Sequence, residues 1–396
     1  MRLALVTPHY PPLRTSAAIQ MRDLAQELLS QGHEPVIITP SSEINDLWSE
    51  EIVDGVMVLR LKGPDIMGAS YLRRTISEAM LPFSMIRGLR KSPYIDTPWD
   101  IVAWYSPTIF FGPLINVMKK KSNAHAYLIL RDIFPEWAHD LGLIRKGPAY
   151  AFFKAVAQYQ YSVANTIGVQ TPSNLPYLEE WSKRPGRHLE VLSNWQIPAP
   201  NIGTGIDLSD TVLKGRKIFV YIGNMGVAQG MDNLMGLAKR LKSHDDIGFL
   251  FVGRGSELSR LKSIVAEQSL TNTLFYDEVD PTEIPGLLAQ CHIGLLALDP
   301  RHKSHNIPGK FLSYLLAGLP VLAKVNAGTD LVRLIEDEAV GAAYVGDSLD
   351  EFTDTALGLI NNAGEHKEMA DSGLALAGRM FSPATVVEQI TAAASR

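Results

Sequence analysis

Short, β-branched apolar runs alternate with longer amphipathic stretches along this chain, and the series restarts near its middle. A strand that is apolar on both faces needs cover on both, so the alternation points to parallel sheets wrapped by helices. The first series has runs at Arg2–Thr7, Pro35–Thr39, Ile101–Tyr105, His125–Arg131, Thr166–Thr171 and Leu189–Ser193. Between the first two, a helix is expected from Thr15 or Ser16, either of which can cap it, to about Gly32. Residues 196–215 hold Pro198, Pro200, Gly203 and Gly205 and read as a linker. The second series runs Lys217–Gly223, Ile247–Gly253, Leu274–Val279, His292–Leu298, Val321–Val325 and Ala342–Val345, and from Leu357 onward the pattern is helical only. With 396 residues, too many for one ordinary core, the expectation is α/β: two tandem Rossmann-like, doubly wound domains. Their spans are 1–195 and 216–380, joined by the linker, with a cleft at the carboxyl ends of both sheets. A helix over 381–396 is expected to pack back on the first domain.

Composition narrows the function. Hydrophobic content of 46% with 20% charged residues is that of a globular protein, and a net charge of −5 gives no global attraction to nucleic acid. The single cysteine, Cys291, excludes an internal disulfide and a thiolate zinc site, and its apolar neighbours read as a buried strand. The apolar run that opens the chain is too short for a signal peptide, which makes the cytoplasm the expected location. Residues Ile101 to Met118 carry no charge and precede Lys119–Lys120–Lys121, mimicking a spanning helix. Pro107 and Pro113 inside the run favour a strand, a Ser-Pro turn and a short helix instead.

Neither series carries G-x-G-x-x-G after its first strand; Gly253–Arg254–Gly255–Ser256 is a partial match after a later one, which argues against a nicotinamide or flavin enzyme. The sharpest local pattern runs from Ile307–Pro308–Gly309–Lys310 to Gly318. It predicts a helix opening at a Pro-Gly pair, and a helix N-terminus suits a pyrophosphate. Lys310, in the first turn, opposes the helix dipole, which makes sense beside a bound anion; a solvated lysine fits the same fact.

That stretch resembles the nucleotide-sugar site of retaining glycosyltransferases of family 4, which have the two-domain GT-B fold. Tyr221–Ile222–Gly223–Asn224–Met225–Gly226–Val227–Ala228–Gln229–Gly230 resembles the Gly-Asn-x-Gly-x-x-Gln-Gly turn of one branch, and Leu250 to Gly255 is similar to the next turn of the same domain. Tyr105 to Phe110 and Arg131–Asp132–Ile133–Phe134–Pro135–Glu136 resemble that branch too, which includes L-fucosamine transferases of bacterial O-antigen and capsule synthesis. The resemblance implies a metal-independent, retaining transfer from a nucleotide sugar, UDP with an N-acetylated amino sugar favoured, to a glycan or undecaprenyl-diphosphate-sugar acceptor. It assigns Asp132 and Glu136 to catalysis, Glu136 sharing a helical face with Asp132, while a capping Asp with a surface Glu is the plainer reading of the pair.

Substrate contacts are expected from His9, Thr15, Ser16 and Arg131 in the first domain. In the second they are expected from Gly223, Asn224, Gly226, Gln229, Arg254, Glu278, Val279, Ile307, Pro308, Gly309, Lys310 and Ser313. The family's two motif glutamates fall here at His305 and Ser313, and the Arg and Lys of its opening turn at Asn224 and Gln229. The loss of charge leaves Lys310 and Arg254 to neutralise the pyrophosphate. His302 and His305 lack carboxylate or thiol company for a metal.

Between Arg60 and Lys91 stand seven basic and two acidic residues, with Leu72, Ile76, Ala79, Phe83 and Ile86 at helical spacing. Such a helix can lie on an anionic inner membrane, although a core-facing helix with a solvated basic side explains the pattern alone. A sugar-nucleotide 2-epimerase of the same fold and a non-catalytic scaffold are the other readings left open.

Overall fold

The computed structural model describes residues 1–65, 71–300 and 306–395. They divide into two compact units, Met1–Gln196 with Ser382–Arg396, and Ile197–Phe381.

The first unit holds β1 (Arg2–Val6), α1 (Ser16–Ser30), β2 (Glu34–Ser41), β3 (Trp48–Val53), β4 (Val56–Lys62), α2 (Tyr71–Leu89) and β5 (Ile101–Tyr105). It continues with α3 (Gly112–Ser122), β6 (His125–Leu130), α4 (Glu136–Asp140), α5 (Pro148–Val163), β7 (Thr166–Val169), α6 (Glu179–Ser182) and β8 (His188–Val191). Its sheet runs β3-β4-β2-β1-β5-β6-β7-β8, parallel except for β3. The strand order reverses direction between β1 and β5, and in such sheets the crevice for a ligand opens at that point. β5 is fully buried and covered by helices, so the charge-free run that mimics a membrane span is a core strand followed by a short helix. No helix among the described residues is long and apolar enough to cross a membrane.

The β3–β4 hairpin was not expected from the sequence. Asp54 and Gly55 turn it with φ of 51° and 82°, the left-handed pair that suits a tight hairpin, but β3 is an edge strand carrying Ser49, Glu50 and Glu51 and shows no apolar run.

The second unit holds β9 (Lys217–Ile222), α7 (Met231–Arg240), β10 (Ile247–Val252), α8 (Leu258–Glu267), β11 (Thr273–Tyr276), α9 (Ile284–Leu288) and β12 (Ile293–Ala297). Then come α10 (Gly309–Leu316), β13 (Val321–Lys324), α11 (Asp330–Asp337), β14 (Gly341–Tyr344), α12 (Leu349–Asn361) and α13 (Ala363–Met380), and α14 (Pro383–Ala393) belongs to the first unit. The sheet is wholly parallel in the order β11-β10-β9-β12-β13-β14. Counted from its own first strand this is 3-2-1-4-5-6, the dinucleotide-fold order, with its switch point between β9 and β12. Aromatic rings fill the β9–β10–β11 face: Phe219 stacks on Phe249 at 5.2 Å and Phe251 on Phe275 at 4.9 Å.

α14 closes the first unit. Val386, Val387, Ile390 and Ala393 are buried in one cluster with Met21, Leu24 and Leu28 of α1, and Gln389 donates to the Val191 carbonyl at 3.0 Å. Burying those four side chains contributes about 5–8 kcal/mol of transfer free energy before ordering costs.

Candidate active site

In the second unit the sequence-predicted residues gather at the carboxyl end of β9, beside the switch point. The strand stops because Gly223 turns with φ of 110°, and the turn is locked to its neighbour: Gly223 N–H donates to Val252 O at 2.8 Å and Met225 N–H to Arg254 O at 2.7 Å. Gly253 packs so closely that a Cβ there would stand 2.0 Å from the Gly223 carbonyl oxygen, and one at Gly255 would stand 2.3 Å from that of Met225. Only glycines allow these two turns to touch. Gly226 faces the Asn224 side chain, and a short turn over Val227–Gln229 ends at Gly230, φ 57°, against the Leu298 carbonyl.

α10 opens beside this turn. Pro308 precedes its first residue and no side chain among the described residues caps it. Phe311 N–H donates to the Pro308 carbonyl at 3.0 Å, and the Gly309 and Lys310 amides stand at the helix start, where an anion is favoured. Lys310 reaches from that first turn to β9. Its Nζ donates to Tyr221 Oη at 2.7 Å and to Gln229 Oε1 at 3.1 Å, and lies 4.1 Å from the centre of the Tyr221 ring. These contacts are all neutral, and burial of the ammonium pulls its pKa down to about 7. Gly223 adjoins the stem, since a Cβ there would sit 3.8 Å from Lys310 Cε. A partly buried cation with neutral partners at a helix N-terminus is electrostatically incomplete, and an anion would complete it.

The remaining predicted residues of this unit divide. Arg254 is exposed and pairs with Glu278 at 3.3 Å, one strand away from Lys310. Val279 packs partly against the core, and Ile307 is 3% exposed with its side chain inside the core, so both can offer a ligand only backbone. Ser313 lies one turn along α10 from Lys310 and is half-buried. His302 and His305 lie outside the described residues. Two tyrosines went unassigned in the sequence: Tyr221, and Tyr314, whose hydroxyl accepts from Ile222 N–H at 3.1 Å and donates to Leu295 O at 3.2 Å, pinning β9 to β12. Aromatics at strand and helix positions look like core, and only the contacts reveal the polar end.

In the first unit the predicted residues follow β1 and β6. Thr15 caps α1, accepting from Ala18 N–H at 3.3 Å, and its Oγ1 lies 3.2 Å from His9 Nδ1. Burial, then the nearby Arg74, lowers the His9 pKa, so the imidazole favours its neutral form. Ser16 is the exposed first residue of α1.

Arg131 is buried. Its Nη1 donates to Leu192 O at 2.6 Å and its Nη2 to Ser193 O at 3.3 Å, while the guanidinium carbon stands 4.8 Å from the Trp195 ring centre. Its Nε, Ser106 Oγ and Thr171 Oγ1 are buried without hydrogen-bond partners among the described residues, and they follow β6, β5 and β7, three neighbouring strands.

Asp132 lies in the connection before α4, which begins only at Glu136, so the two carboxylates do not share a helical face as expected. Phe134–Pro135, a cis peptide, separates them. Glu136 is held by Lys154 at 2.8 Å.

Residues 209–373 match the family model described as glycosyl transferases group 1. Over 220 residues the chain is 25% identical to a Pseudomonas aeruginosa protein named "Probable glycosyltransferase WbjE", covering 54% of each, so it spans about half the length of that relative. It is 24% identical over 371 residues to WcaI of Escherichia coli K12, named for colanic acid biosynthesis as a glycosyl transferase, covering 85% of this chain and 86% of WcaI. Among solved structures, sucrose-phosphate synthase from Thermosynechococcus elongatus superposes with a TM-score of 0.73 at 14% identity, over 99% of this chain and 98% of that one. The chain therefore has the GT-B fold of glycosyltransferases, and over residues 209–373 it is similar to the group 1 glycosyl transferases.

Proposed function

We propose that this chain is a retaining glycosyltransferase of bacterial surface-polysaccharide synthesis. It moves a sugar from a nucleotide diphosphate, a UDP-N-acetylamino sugar for preference, to a glycan or an undecaprenyl-diphosphate-linked acceptor. The observation that carries this reading is the Lys310 ammonium, held on neutral partners at the open start of α10 and at the switch point of a parallel sheet. A diphosphate seated there meets amide N–H groups, a helix dipole and a cation. These groups stabilise the charge that develops as the glycosidic bond to phosphate breaks.

On the first unit, Asp132 orients the acceptor hydroxyl at the carboxyl end of β6, and the leaving phosphate takes the hydroxyl proton on the same face of the sugar. The chain's contribution is mainly preorganisation, with no covalent step on the protein. The relatives support the polysaccharide context: WcaI is named for colanic acid biosynthesis.

α2 supports a membrane-bound acceptor. Its core face is Leu81, Met85 and Leu89, with Ile86 and Ala79 of the expected stripe packed partly against the core. Ile76 and Phe83 of that stripe are exposed instead, with Met80 between them and Arg73, Arg87, Arg90 and Lys91 around them; the Leu72 side chain lies outside the described residues. One helix thus has a face for the core and a second apolar, basic face that fits an anionic bilayer at the inner membrane.

Calorimetry with UDP and GDP, followed by a donor panel against a lipid-diphosphate monosaccharide, tests the proposal. Binding of one diphosphate and acceptor-dependent transfer with retained anomeric configuration are expected. Absence of binding to both would leave a scaffold, and sugar epimerisation without acceptor would make the chain an epimerase.

A further inference from the structure

One phenol ties the turn after β9 to the start of α10. Tyr221 is fully buried on β9, and its hydroxyl donates its single proton to the Asn224 carbonyl at 2.6 Å. Its oxygen is thereby left to accept, and Lys310 Nζ donates to it at 2.7 Å. Gln229 Oε1, from the far end of the same turn, accepts from Nζ at 3.1 Å, and the Tyr221 ring face lies 4.1 Å below. Two of the three ammonium protons are engaged in this way, which fixes the direction of the third.

The geometry of the turn thus sets where the charge points. Asn224 is exposed and Gln229 half-buried, so the ammonium stands at the lip of the turn with the first-turn amides of α10 on its own helix. Nothing else in the turn is charged: residues 223–230 hold no basic and no acidic side chain. Between this turn and the described first turn of α10, Lys310 is therefore the cation a ligand phosphate meets, and the contacts of Tyr221 and Gln229 decide its position.

We infer that Tyr221 and Gln229 are positioning residues that aim the third N–H of Lys310 at the terminal phosphate of a bound nucleoside diphosphate, making the site discriminate diphosphates from monophosphates. The inference rests on the proposed nucleotide-sugar reading of this site and adds the residues that set its specificity.

The test is calorimetric titration with UDP, UMP, GDP and GMP. The wild-type protein is expected to bind one diphosphate about tenfold or more tighter than its monophosphate, a charge-assisted hydrogen bond's worth of preference. Lys310→Met should remove most of that ratio and leave the monophosphate within about threefold. Tyr221→Phe keeps the ring and removes the acceptor, so it should weaken diphosphate binding by about three- to tenfold with the monophosphate unchanged.

Because Gln229 Oε1 and Lys310 Nζ already touch, a lysine at 229 reaches the same place. Gln229→Lys in the Lys310→Met background should restore the preference, and a melting curve for each variant confirms that it folds. Equal losses for both ligands in Tyr221→Phe, or an unchanged ratio in Lys310→Met, would overturn the inference. Failure of all four nucleotides to bind would instead defeat the functional reading beneath it, whereas tight binding without discrimination defeats only the positioning role.

Discussion

The guanidinium of Arg131 lies over the indole of Trp195, 4.8 Å from the ring centre, while the indole N–H of Trp195 donates to the Gln20 carbonyl at 2.6 Å. Arg131 thus joins the end of β6 to the segment after β8, and Trp195 joins that segment to α1. The fork of Arg131 also donates to the Leu192 and Ser193 carbonyls just beyond the end of β8. Arg131 is a clamp that fixes the backbone carrying Asp132. Replacing it with lysine loses the planar fork and the stacking, and should cost the first unit about 2–4 kcal/mol. Chemical denaturation followed by Trp fluorescence checks this; an unshifted midpoint would make the clamp dispensable.

The pKa of Lys310 gives the site a pH dependence of known sign. Without ligand, burial pulls the ammonium pKa from its ordinary 10.5 down to about 7. A bound diphosphate favours the charged form and raises the value again. Between the two values, binding takes up a proton. Affinity should therefore fall as pH rises through 7, by up to about tenfold per unit above it. Titrations at pH 7, 8 and 9 in buffers of different ionisation enthalpy measure both the slope and the proton. A flat profile contradicts the assignment, and Lys310→Met should produce that flat profile.

Asp132 and Glu136 separate by their surroundings. Glu136 is committed to an ion pair with Lys154, partly exposed, and such pairs contribute little. Glu136→Gln should leave transfer within about threefold if the pair only anchors α4, whereas a general acid–base role would show about 100-fold or more. Asp132→Asn should lower kcat by about 100-fold or more with donor affinity retained. Steady-state kinetics with separate donor and acceptor titrations distinguishes the outcomes, and wild-type kcat in Asp132→Asn would remove Asp132 from the mechanism.

Gly253 is the tightest point of the second unit's site. With φ of 147° and a Cβ position 2.0 Å from the Gly223 oxygen, Gly253→Ala must push the two turns apart. A loss of about 3 kcal/mol or more is expected, together with nucleotide binding, because Gly223 adjoins the Lys310 stem. A variant that keeps both its melting temperature and its affinity would show that the turns can separate without consequence.

The exposed face of α2 predicts sedimentation with anionic vesicles. Changing Arg73, Arg74, Arg87 and Arg90 to Glu should release the protein, and Phe83→Ser should weaken binding even at low salt. Co-sedimentation unchanged in both variants would exclude this surface.

Strand positions were legible because parallel, two-side-buried strands are written as unbroken apolar runs: β5 has the expected bounds, and most of the others differ by a residue or two at their ends. β3 escaped because an edge strand has only one neighbour and can afford glutamates, whereas β4, paired on both sides, does carry an apolar run, Val56–Leu59. The α2 stripe divides, because helical spacing identifies a face without saying which way it points: Ile76 and Phe83 face outward, Ala79 and Ile86 pack partly on core clusters, and Leu81 and Met85, four apart, form the core pair. At the candidate site, Lys310 was visible as a charge against the helix dipole. Tyr221 was not, since a tyrosine in an apolar strand carries no mark of where its hydroxyl goes.

The placement of α14 has a consequence for how this protein must be made. Residues 197–381 form an insert within the first unit, whose chain resumes only at Ser382. On the ribosome the first unit therefore lacks the α14 side chains that pack on Met21, Leu24 and Leu28 of α1 until the segment from Ser382 has emerged. The insert can finish its own core before the part synthesised ahead of it can. A fragment that stops at Gln196 is accordingly an interrupted fold rather than a domain, and should bind a hydrophobic dye that the whole chain does not.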